Sequence, residues 1–157
     1  LNSIALAMVT FVAQNFGAKK FDRIIRAIKI SLALSATWSL LTVILFLFSA
    51  TTMVRWISGS TDTELLANGT QFLHIASLFY IVLGILYILR NTLQGLGEKV
   101  IPLISSDIEL VGKIIFVAFI IPRLGYLGVI LCEPLIWVVM TVQLVYLYRG
   151  VRKEKLS

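Results

Sequence analysis

The chain is poor in charge, cysteine and histidine. Of its 157 residues only 14% are Asp, Glu, Lys or Arg, against about 25% in an ordinary soluble domain. It has one cysteine, Cys132, and one histidine, His74. A single cysteine excludes an internal disulfide, and Cys132 stands in an apolar run where a buried, inert thiol is the ordinary state. One histidine excludes an H-E-x-x-H metal site, and no Ser/His motif surrounds it. Asp107 and Glu109 are too close in sequence to oppose each other as a protease carboxylate pair. The residues thus provide no basis for an enzyme, and no cofactor is expected.

What the chain does have is apolar length. Hydrophobic residues make up 59% of it, and two windows, Ile30–Val54 and Leu65–Leu89, each run 25 residues without Asp, Glu, Lys or Arg. At about 1.5 Å per residue, either crosses a hydrocarbon core of roughly 30 Å. Isolated strands would leave open edges in lipid, so the expected fold class is an all-α membrane protein. Five transmembrane spans are expected, Leu1–Ala18, Ile30–Val54, Leu65–Leu89, Val100–Ile121 and Tyr126–Tyr148, together making a partial bundle over residues 1–157. The first is short and has no flanking anchor, and no signal-peptide pattern precedes it, so the chain reads as cut at its start.

The connectors carry the charge. Ala18–Lys29 is basic and becomes amphipathic as it enters the second span, Ser58–Glu64 is polar and rich in turn residues, and Arg90–Lys99 is a polar connector bearing glycines. Pro102 suits a first helical turn, and Pro122 is expected to end the fourth span, with Pro122–Gly125 as a tight turn. Eleven of the fourteen bases fall on one side of this arrangement, in the Ala18–Lys29 and Arg90–Lys99 segments and the tail from Arg149. Only Arg55 and Arg123 fall on the other. The positive-inside rule then places the C-terminus in the cytoplasm, with the spans in the plasma membrane. The net charge of +6 is a topology signal and not a nucleic-acid surface, because the bases sit at span ends.

Some polar residues lie inside the spans, where charge is expensive. Glu109 and Lys113 are i and i+4, on one helical face and close enough to pair. They form either a structural ion pair or part of a transport path. Asp107 lies about 200° around the same helix and can reach interfacial water. Glu133 precedes Pro134, which frees the carbonyl of Ile130, so a carboxylate and a backbone acceptor come together where a helix kinks. His74 is either a proton carrier or a hydrogen-bonded contact to a neighbouring helix. Phe72, Phe79, Tyr80, Tyr87 and Trp137 can stack on an organic cation or simply pack. Ser31, Ser35 and Ser39 form a small-residue stripe for helix contact, and Gly84, Gly112 and Gly128 permit close approach in later spans.

The segment Gln14-Asn15-Phe16-Gly17-Ala18-Lys19-Lys20-Phe21-Asp22-Arg23 resembles the cytoplasmic loop after the second helix of each half in the multidrug and toxic compound extrusion (MATE) family. Arg90-Asn91-Thr92-Leu93-Gln94-Gly95-Leu96-Gly97 with Pro102 is similar to that family's R-x-x-L-Q-G-x-G connector. Leu124-Gly125-Tyr126-Leu127-Gly128-Val129, with Glu133-Pro134 and Trp137, resembles its last helix. The resemblance implies the C-terminal part, helices eight to twelve, of a twelve-helix, two-bundle antiporter. Its partners would be membrane lipid, the N-terminal half of the same transporter and cationic organic substrates, exported against sodium ions or protons. The carboxylates that couple ions in that family fall in helices outside this chain, or in helix ten, and Leu65–Leu89 contains no acid. Glu109 and Glu133 would therefore be unorthodox sites. Two alternatives are a flippase for lipid-linked oligosaccharides, for which Lys113 beside acids is a poor match, and a structural membrane subunit.

Overall fold

In a computed structural model that describes residues 2–156, the chain is all-α. Its elements are α1 (Asn2–Gly17), α2 (Phe21–Ser58), α3 (Thr63–Leu78), α4 (Tyr80–Gly95), α5 (Val100–Ile115), a π-turn (Phe116–Ile120), α6 (Ile121–Leu124) and α7 (Tyr126–Lys155). By length and composition α2 and α7 can each cross a membrane alone, and α3 with α4 can do so as one bent pair. The outward face of α2 is apolar: Trp38, Leu41, Leu47 and Phe48 are all largely exposed, as expected of a surface whose solvent is lipid.

Helix boundaries depart from the sequence expectations in four places. Only Ala18–Lys20 separates α1 from α2, so most of the basic connector is the first turns of α2. The third hydrophobic stretch is broken at Phe79, where α3 and α4 meet at 48°, and the helix resumes to Gly95 through what reads as a polar connector. At the break the Phe79 amide bonds the carbonyl of Ala76, three residues back, while Ser77 Oγ donates to His74 O at 2.9 Å. Back-bonding of this kind bends helices. Pro122 does not end its helix: α6 runs on to Leu124, and the chain turns at Gly125, whose φ of 56° and ψ of −132° suit glycine alone. Pro122 acts upstream instead. It offers no N–H to Ala118, and the preceding turn widens so that the Ile121 amide bonds Phe116 O, five residues back. Finally, the basic tail is helical to Lys155.

The core centres on α4, with Leu86, Ile88, Leu93 and Leu96 almost fully buried beside Val12, Ile24, Met140 and Leu144. In lipid the apolar effect gives helices little reason to associate, so close van der Waals fit must supply the attraction. Gly95 provides it: a Cβ there would lie 2.8 Å from both Val12 Cβ and Val9 O. Ser31, Ser35 and Ser39 are all buried.

The basic segments gather at one end of the bundle. Lys155 Nζ lies 2.6 Å from Glu98 Oε1 and donates to Leu96 O at 3.2 Å, tying the end of α7 to the α4–α5 loop. Leu156 borders a cavity with Lys19, Lys20 and Phe21. At the opposite end Asp62 caps α3 by accepting from the Glu64 amide, and Tyr126 Oη donates to Asn68 O at 2.7 Å.

Candidate functional site

Glu109 and Lys113 occupy successive turns of α5, and Lys113 Nζ donates to Glu109 Oε1 at 2.8 Å. The same ammonium lies 3.0 Å from Glu133 Oε1 on α7. The group is therefore a triad bridging two helices, where spacing alone predicts a pair within one. Close packing makes the bridge possible: at Gly112, next to Lys113, a Cβ would meet Ile136 Cγ1 at 3.0 Å. With two carboxylates against one ammonium, the triad has a net charge of −1. All three side chains are between 34% and 42% exposed. The charges are thus held together and partly exposed.

Pro134, beside Glu133, is buried within an unbroken α7. Its missing N–H leaves the Ile130 carbonyl without the usual helical donor, a free acceptor one turn from the triad. Trp137 is one turn further along α7. Its ring lies 6.4 Å from that of Tyr80, which in turn lies 6.5 Å from Phe46. A row of aromatic rings, edge-on at Phe46 and tilted at Trp137, thus leads from α7 through α4 to α2. Tyr80 opens α4 directly after the Phe79 break.

His74 is placed apart from the acids. Its Nε2 is 3.0 Å from Phe46 O, so it links α3 to α2. Asp107 is exposed and borders an apolar groove of about 470 Å³ on another side of α5 and α7. Neither residue joins the triad.

Sequence reasoning missed three participants. Gln143 accepts from Ser105 Oγ at 2.6 Å, a second polar bridge between α5 and α7. A glutamine inside the Tyr126–Tyr148 run was the available signal. Phe46 is one apolar residue among many in sequence, and only packing places it against Tyr80.

The sequence matches the MatE family over residues 1–120. It is 26% identical over 157 residues to the "Probable multidrug resistance protein YoeA" of Bacillus subtilis (strain 168), covering 98% of this chain and 33% of that protein. The chain thus spans about a third of the length of that relative. No solved structure matches it. With the family match extending over most of the chain, and with helices long and apolar enough for a multi-pass membrane protein, the chain belongs to the MatE family.

Proposed function

We propose that the protein containing this chain is an ion-coupled antiporter of the plasma membrane that exports cationic organic compounds, with its C-terminus in the cytoplasm. The observation that carries this reading is the open triad of Glu109, Lys113 and Glu133, with net charge −1 and the Trp137–Tyr80–Phe46 row nearby. Family membership and a relative named for multidrug resistance support it. A flippase for anionic head groups would need available bases at this depth, whereas Lys113 is taken up by two acids.

The chemistry follows from the parts. A carboxylate half open to solvent binds a cation, and an adjacent aromatic face adds a cation–π attraction of about 0.5 to 2 kcal/mol for an organic one. A sodium ion or a proton competes for the same carboxylate oxygens. When either arrives, Lys113 loses part of its hold, so occupancy by the coupling ion and by the drug are mutually exclusive.

The test uses the full-length gene product in a drug-sensitive host and in inside-out vesicles. Glu133→Gln should leave membrane insertion intact and abolish most efflux of cationic dyes. Pro134→Ala, which restores a helical donor without touching the carboxylate, should change rate more than ion dependence. Parental efflux from Glu133→Gln, with the parental pH and sodium dependence, would remove the triad from the transport path.

A further inference from the structure

A groove of about 480 Å³ runs between α1 and α2, away from the ion triad. Ile4, Ala7 and Phe11 on α1 and Ile30 on α2 line its length, and Arg23 and Arg26 stand at one end. The two helices form a tight hairpin through Ala18–Lys20, and their register is marked by Ser31 Oγ reaching Met8 Sδ at 3.2 Å. The arginines therefore lie at the loop end, among the basic segments, and the groove descends from them into the apolar depth of the bundle. From Arg23 to Ile30 the descent is about 10 Å along α2.

Both guanidiniums are exposed. Among the described residues neither has a carboxylate oxygen within ion-pair distance; the ion pairs present belong to Lys113 and Lys155. Asp22, the acid in the same turn, is exposed and pairs with neither. Lys20, the residue before α2, provides no side-chain cap, so the first amides of the helix add their partial positive charge to the same place.

The site thus has two parts, in a fixed order with depth: a doubly basic mouth at the membrane surface and an apolar channel below it. A free phosphate would use only the mouth, and a zwitterionic lipid offsets its phosphate with its own cation. An anionic phospholipid matches both. We propose that α1 and α2 form a binding site for one anionic phospholipid, with its phosphate between Arg23 and Arg26 and an acyl chain along Ile4, Ala7, Phe11 and Ile30.

Native mass spectrometry of the full-length gene product, delipidated and then offered phosphatidylglycerol or phosphatidylcholine in detergent, tests the proposal. One phosphatidylglycerol should be retained in preference to phosphatidylcholine, and millimolar inorganic phosphate should not displace it. The double variant Arg23→Gln/Arg26→Gln should weaken retention by roughly thirtyfold. Ala7→Trp, which fills the channel and keeps both arginines, should weaken it as well. A measurement on the unaltered protein guards against misfolded variants: phosphatidylglycerol carrying a photoreactive diazirine on its acyl chain should label peptides containing Ile4–Phe11 or Ile30. Equal retention of the two lipids, displacement by inorganic phosphate, or labelling confined to other helices would overturn the assignment. So would absence of label because another helix of the protein covers the groove.

Discussion

Replacing Lys113 by methionine should damage the protein more than removing either of its partners. Its ammonium holds Glu109 at 2.8 Å and Glu133 at 3.0 Å, so Glu109→Gln leaves one ion pair intact and Lys113→Met leaves none. A surface pair contributes about 0.2 to 1 kcal/mol, and breaking a buried one costs about 3 to 5. With side chains 34% to 42% exposed, the triad lies nearer the lower range for each bond. Lys113→Met adds a second penalty. The two carboxylates it bridged are left within about 6 Å of each other, and at an effective dielectric constant of 20 their repulsion is about 3 kcal/mol before solvent screening. Discounted for exposure, the change should cost about 2 kcal/mol, against about 0.5 to 1 for either glutamine variant. Thermal midpoints of the full-length protein in detergent should therefore fall furthest in Lys113→Met. The double variant Glu109→Gln/Lys113→Met still leaves Glu133 alone and should recover only partly, whereas the triple variant with Glu133→Gln should recover most. If Lys113→Met is no worse than Glu109→Gln, or if the triple variant loses the sum of the three single losses, the side chains are not coupled.

Gly95→Ala should destabilise by about 1 to 3 kcal/mol, because the added methyl meets the Val9 carbonyl and Val12; Gly17→Ala, with nothing within 4 Å, should stay within about 0.5. The same thermal assay reads both. Gly125→Ala should cost about 1 to 3 kcal/mol through backbone strain at φ 56° and ψ −132°; a midpoint equal to the parent would show that the turn relaxes freely. Cysteines introduced at Ser60 and Lys153 should differ in labelling by an impermeant thiol reagent on intact cells, with Ser60 labelled, and equal labelling would reject the orientation set by the bases.

The fold class is legible because long charge-free runs admit few structures in lipid. What sequence leaves out is mostly backbone detail. Pro122 reads as a helix stop, yet a missing N–H can also be absorbed upstream by a wider turn, and no local pattern distinguishes the two. The Phe79 break carries no proline or glycine at all. Its sequence trace is Ser77, a residue type common inside membrane helices, so the signal does not stand out. The site is half legible: i, i+4 spacing identifies Glu109 with Lys113, but no local pattern says that α7 approaches α5 at Gly112 closely enough for Glu133 to join them. Gln143 and Ser105 show the same limit, because a bond across 38 positions depends on packing alone.

Three irregular stretches of backbone adjoin the triad or its aromatic neighbours. The π-turn begins three residues after Lys113, Pro134 follows Glu133, and the Phe79 break precedes Tyr80, whose ring faces Trp137. Each interrupts the regular hydrogen-bond ladder of its helix, and in an apolar medium a carbonyl freed in this way has no water to replace its donor. The three charges thus sit beside the points where their own helices, at the π-turn of α5 and at Pro134 of α7, depart from regular hydrogen bonding.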